Sequence, residues 1–143
     1  MYKSLLLALM AGVVSFSALA AEQMTVYKSQ YCGCCKAWVK HLEGNGFEVK
    51  VIETEQLQPI KEEYGITPKL ASCHTGVVNG YVVEGHVPAV DVHKLLQEKP
   101  AIHGLTAPGM PQSAPGMGTP GQPYEVLSID NEGSTKTWSS YPG

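Results

Sequence analysis

The period of hydrophobic and polar positions changes along the chain, and the changes mark out its elements. Met24 to Lys28, MTVYK, alternates and is rich in strand-forming side chains, which predicts a strand. From Cys35 to Leu42 the period lengthens: Trp38 and Leu42 stand four apart with polar residues between them, the spacing of one helix face. Gly44 to Gly46, GNG, is a helix stop. Phe47 to Ile52, FEVKVI, alternates again and predicts a second strand, and Pro59 to Tyr64 predicts a short helix with proline in its first turn and Gly65 closing it. Strand, helix, strand and helix in succession predict a βαβ-type start with a parallel pair.

Further on, Val77-Val78 and Tyr81 to Val83 flank Asn79-Gly80, the strongest short-range hairpin signal. Pro88 opens a helix in which Val92, Leu95 and Leu96 form an apolar stripe, and Pro100 stops it. Residues 104–123 lose all periodicity. Glycine and proline dominate there, which reads as a flexible linker. It leads into YEVLSI (124–129) and STKTWS (134–139), a second hairpin that returns the segment to the body. The order strand–helix–strand, helix, hairpin, helix predicts an α/β fold, a single thioredoxin-like domain with a Gly/Pro/Met-rich loop and a C-terminal hairpin. That fold keeps its active site at the first strand-to-helix junction, and Thr67-Pro68 stands where it keeps a cis-proline, although Pro68 reads nearly as well as an ordinary trans turn proline.

The first twenty residues follow another pattern. Lys3 precedes an apolar run from Leu5 to Phe16, and Ala18-Leu19-Ala20 fits the small-x-small cleavage rule. This predicts a secretory signal peptide over residues 1–20 and a mature domain over 21–143, exported from the cytoplasm. The run is too short for a transmembrane helix of about 20 residues, so no membrane association is expected after cleavage. Losing Lys3 takes the formal net charge from −3 to −4, and the chain has no arginine. An acidic chain without a basic cluster is a poor partner for nucleic acid.

Export changes the meaning of the four cysteines, because an oxidising compartment favours disulfides. Three of them lie in four positions, Cys32-Gly33-Cys34-Cys35, and the fourth, Cys73, stands beside His74. A bridge between the neighbours Cys34 and Cys35 would be strained, so two structural disulfides fit awkwardly. Cys32 and Cys35 have CxxC spacing at a helix start, where the dipole and free N–H groups lower a thiol pKa. That pair suits thiol–disulfide exchange, with Cys32 as nucleophile and Cys35 resolving. Cys34 is then surplus and would risk trapping mixed disulfides. Metal binding accounts for the surplus, since soft thiolates select Cu(I), zinc or iron–sulfur clusters, and adjacent cysteines can bridge several ions. His86, just past the hairpin, and the thioethers Met110 and Met117, set in a repeated Pro-Gly-Met, are candidate supporting ligands. His41, His93 and His103 read as surface residues.

YCGCCKAW, SCHTGVVNGYVVEGHVP and GLTAPGMPQSAPGM, in this order, resemble the CopG-type periplasmic copper-resistance proteins, a branch of a family of small exported proteins. The resemblance spans nearly the whole mature chain. It implies a thioredoxin-like fold and copper, favoured as Cu(I) and multinuclear, on Cys32, Cys34, Cys35 and Cys73, with His86, Met110 and Met117 in support. It also implies copper ions as partners, periplasmic copper-handling or redox proteins beside them, and an oxidoreductase role that interconverts Cu(I) and Cu(II). A thiol–disulfide oxidoreductase using Cys32 and Cys35 is the alternative. A disulfide-stapled interaction module is a third.

Overall fold

The computed structural model describes residues 20–143, so the predicted signal peptide lies outside the described residues except for Ala20. Strand β1 (Glu22–Lys28) leads into helix α1 (Gly33–Gly44), strand β2 (Phe47–Glu53) and helix α2 (Leu57–Glu63). A hairpin of β3 (Thr75–Val78) and β4 (Tyr81–Glu84) follows, then helix α3 (Ala89–Glu98), β5 (Gly104–Thr106), β6 (Tyr124–Ile129) and β7 (Thr135–Tyr141).

All seven strands form one sheet in the order β2-β1-β3-β4-β5-β6-β7. β1 and β2 are parallel, while β3 runs antiparallel to β1 and β4 antiparallel to β3. These four strands and three helices are the expected thioredoxin-like arrangement. The Asn79-Gly80 turn has positive φ at both residues, 46° and 81°, as a type I′ hairpin requires.

Helices α1 and α3 cover one face of the sheet and α2 the other. Trp38, Val39 and Leu42 of α1 enter a core with Met24, Val83 and Leu95, whereas Ile66, Leu70, Val82 and Ile129 form a smaller cluster on the opposite face. Adjacent Val82 and Val83 thus serve different cores, because strand side chains alternate.

One expectation is corrected, and one pair of readings is decided. Residues 104–123 are not a flexible linker throughout. Gly104–Thr106 is an interior strand, parallel to β4 and antiparallel to β6, and it joins the C-terminal hairpin to the main sheet. Three residues are too few for periodicity to reveal. The segment after it is fastened as a strap: Gly109 N–H donates to Ala71 O at 3.0 Å, Thr119 N–H to Gln112 O at 3.0 Å and Gln122 N–H to Ser113 Oγ at 2.7 Å, with Ala114 buried. Secondly, the peptide bonds of the described residues are all trans, Thr67-Pro68 included. That pair belongs to a turn in which Leu70 N–H reaches Thr67 O at 2.9 Å, and the residues immediately ahead of β3 are instead Cys73 and His74.

Candidate metal centre

β1 ends at Lys28 and delivers the chain to the start of α1. Cys32 is the N-cap: its sulfur accepts the Cys35 N–H at 3.3 Å, taking the place of the usual side-chain oxygen. Cys35 turns inward and is fully buried, while Cys34 is half-buried. Cys32 and Cys35 are joined by a disulfide, and Cys34 and Cys73 are free thiols. The Cys34 sulfur lies 3.5 Å from that of Cys32.

Cys73 lies on the irregular segment before β3, whose first residue, Thr75, pairs with Tyr27 near the end of β1. The four cysteine sulfurs lie within 4.8 Å of one another, so a single small volume holds the disulfide and both free thiols. A second group with the same span comprises Cys35, Cys73, His74 and His86. The two groups share Cys35 and Cys73.

Both imidazoles are aimed at Cys73. His74 Nδ1 lies 3.3 Å from its sulfur and His86 Nε2 lies 3.2 Å from it. The remote ring nitrogen of each is committed elsewhere: His74 Nε2–H donates to Gly85 O at 2.9 Å, and His86 Nδ1–H donates to Pro115 O at 2.6 Å. Backbone carbonyls therefore fix both tautomers and leave the inward nitrogens with free lone pairs, the arrangement usual for ligating histidines.

Burial keeps these rings neutral. The His74 pKa is lowered to about 3, first by burial and then by the neighbouring His86. Burial also lowers that of His86. The Cys73 thiol is pushed up to about 11, chiefly by burial. A cation brought among these groups would meet neutral nitrogens at once and would displace the thiol proton.

The strap closes one side. Pro115 holds His86, and Gly116 lies flat on the first turns of α1. A Cβ there would stand 2.8 Å from Trp38 N and 2.9 Å from Cys34 O, and its φ is +90°, so both space and backbone call for glycine. Met110 is 43% exposed, and its sulfur lies 3.8 Å from Ser72 Oγ, which in turn lies 3.9 Å from the Cys73 sulfur. Met117, half-buried, adjoins Gly116.

Of the residues singled out in the sequence, the four cysteines and His86 gather in direct proximity, and Met110 approaches Cys73 through Ser72, while Met117 is placed only by its position on the strap next to Gly116. In an extended segment His74 would face away from its neighbour Cys73. The segment is irregular, so neighbouring side chains need not diverge, and both converge. His41, His93 and His103 stand apart from the centre. His93 is exposed as expected, His41 and His103 are half-buried, and all three bond the backbone: His41 accepts Ala89 N–H at 3.0 Å, His93 bonds Asn45 O at 2.8 Å and His103 bonds Tyr64 O at 2.6 Å.

The donor set fits a soft metal. Thiolates and imidazoles suit Cu(I) and zinc, whereas a hard cation would want oxygens. Four sulfurs as thiolates require the Cys32–Cys35 bond to be reduced.

A family model described as a protein of unknown function, DUF411, matches residues 70–117, the stretch that carries Cys73, both histidines and the strap. No curated protein matches the chain. Two solved structures do: copper resistance protein CopG, forms 1 and 2, each 39% identical with a TM-score of 0.80. The matches cover 86% and 85% of this chain and 99% of each CopG chain.

Proposed function

This chain belongs to the family of the copper resistance protein CopG, and from that premise we propose that it is a periplasmic copper-binding protein of copper resistance. Residues 1–20 act as the export signal, and residues 21–143 form the copper-binding domain. Cu(I) is held by Cys32, Cys34, Cys35 and Cys73 together with His74 and His86, and the overlap of two ligand groups at Cys35 and Cys73 favours more than one ion with bridging sulfurs. Met110 and Met117 supply thioethers from the strap.

The observation that carries this reading is the pair of fixed imidazoles. A thiol–disulfide exchanger needs Cys32 and Cys35 alone and has no use for two neutral histidines aimed at a third cysteine. A copper centre uses all of them.

A redox step is compatible with the same residues. Two Cu(II) ions accept one electron each from the Cys32–Cys35 dithiol, which becomes the disulfide and releases two protons. The two resulting Cu(I) ions then lie beside Cys34, Cys73 and the histidines. The reverse reaction returns the dithiol.

The Cys32–Cys35 disulfide also favours the second reading, a thiol–disulfide oxidoreductase. Anaerobic titration of the reduced protein with Cu(I) against a competing chelator separates the two. Several coppers per chain, fewer after Cys34→Ser or Cys73→Ser, support the copper centre. Absence of tight copper binding, with disulfide reductase activity that survives Cys34→Ser, refutes it in favour of exchange.

A further inference from the structure

Below the metal centre, on the α2 side of the sheet, lies a buried charged network that the copper reading does not use directly. Glu84, the last residue of β4, is wholly buried, and Lys61 of α2 is 6% exposed. They form an ion pair. Two further donors converge on the same carboxylate: Thr75 Oγ1–H at 2.7 Å and Ser72 N–H at 2.8 Å. Lys61 also donates to Thr75 Oγ1 at 3.0 Å. The donors from Ser72 and Thr75 flank Cys73 and His74.

We propose that the buried Lys61–Glu84 pair is a positioning device for the metal centre, holding the Ser72–Thr75 segment so that Cys73 and His74 face the thiols of α1. The inference rests on the copper reading above and adds residues outside its ligand set.

The physical argument starts from cost. Taking two charges out of water consumes most of what their attraction returns, so such a pair is weak support for stability alone. Segment 72–74 is outside regular structure and lacks the ladder that would fix its backbone, so its aim must come from side chains. Glu84 supplies a fixed acceptor at each end of it. The next residues complete the grip. Gly85 N–H donates to His74 O at 3.1 Å, Gly85 O receives His74 Nε2–H, and His86 is itself a ligand candidate. Gly85 has φ +74°, and a Cβ there would stand 2.6 Å from that of Ser72, so the two segments approach as closely as glycine allows. The three consecutive residues Glu84-Gly85-His86 thus anchor the segment, set one tautomer and provide one nitrogen. Lys61 keeps the anchor's charge balanced, and its place on α2 ties the centre to the far side of the sheet.

A staple that only joins α2 to the hairpin predicts something different, and replacing both partners with apolar groups distinguishes the two. In Lys61→Met/Glu84→Leu no charge is left unpaired, so the variant is expected to stay folded, with a melting temperature lowered only by the Ser72 and Thr75 donors that lose their acceptor. The two donors around Cys73 and His74 lose their acceptor, so Cu(I) affinity is expected to fall about 10- to 100-fold, the range seen when partners of metal ligands are removed. In the metal-free reduced protein, alkylation of Cys73 is expected to become faster. Thr75→Val removes the hydroxyl that bonds both Glu84 and Lys61 but leaves their ion pair in place, and is expected to weaken Cu(I) binding by roughly two- to ten-fold. It is decisive by itself where the double variant does not fold. Wild-type affinity and alkylation rate in a folded variant overturn the inference while leaving the copper reading intact. A wild-type protein that takes up no Cu(I) overturns both.

Discussion

The indole of Trp38 lies against the imidazole of His74, stacked with ring centroids 4.2 Å apart, and its Nε1–H donates to Val87 O at 2.8 Å. One buried side chain of α1 therefore touches the ring of one ligand candidate and holds the backbone next to the other, His86. Copper bound at His74 would sit close to this fluorophore. Titration with Cu(I) is expected to quench tryptophan emission in step with copper uptake, and Trp38→Phe is expected to abolish the quench while leaving Trp138 emitting. The substitution also strips Val87 O of its donor, so a loss of about 1–3 kcal/mol in denaturant unfolding is expected.

Thiol counting follows from the connectivity. The oxidised protein is expected to show two reactive thiols after unfolding, Cys34 and Cys73, and four after reduction. Copper capacity should follow the reduced count: the oxidised form is expected to bind fewer Cu(I) ions than the reduced form, measured by chelator competition under nitrogen. Equal capacity in the two forms would count against Cys32 and Cys35 as ligands.

The strap makes a separate prediction. Gly116→Ala introduces a Cβ into the space occupied by Trp38 N and Cys34 O and demands a φ that alanine rarely adopts. Unfolding free energy is expected to fall by roughly 1–3 kcal/mol, and the exposure of Cys34 to alkylating reagents is expected to rise. Met110→Leu preserves volume and removes only the thioether. It is expected to weaken or slow copper uptake with little change in stability, because its sulfur lies beside Ser72 at the exposed side of Cys73.

Three histidines set the acid response of the metal-free protein. His41, His74 and His86 all have pKa values lowered by burial, that of His74 to about 3. In the unfolded chain each takes a proton near its ordinary value of about 6.5. The unfolded state then binds more protons than the folded one, so stability is full above that pH and is lost as pH falls below it. The melting temperature is expected to decline between pH 7.5 and pH 5. His41→Gln removes one titrating ring but keeps an acceptor for Ala89 N–H at the start of α3, so the decline is expected to become shallower.

Local physics wrote much of this molecule into its sequence. The alternation of MTVYK and FEVKVI, the spacing of Trp38 and Leu42, and the Asn79-Gly80 pair each report a preference of a few neighbouring residues, and these preferences survive in the fold. Three thiols in one helical turn also declare their chemistry without any tertiary contact. What the sequence could not fix was anything that depends on residues far apart meeting in space. β5 has only three residues, and it is a strand because β4 and β6 lie on either side of it. The Gly- and Pro-rich stretch after it is ordered because Pro115 meets His86 and Gly116 meets α1. Thr67-Pro68 is trans, and Cys73-His74 take the position before β3. Most of all, the direction of His74 was decided by the fold: an extended chain would turn it from Cys73, and it turns toward Cys73 because Gly85 O and the face of Trp38 hold its ring there. Residue type determined which chemistry was available, and long-range packing determined which side chains share it.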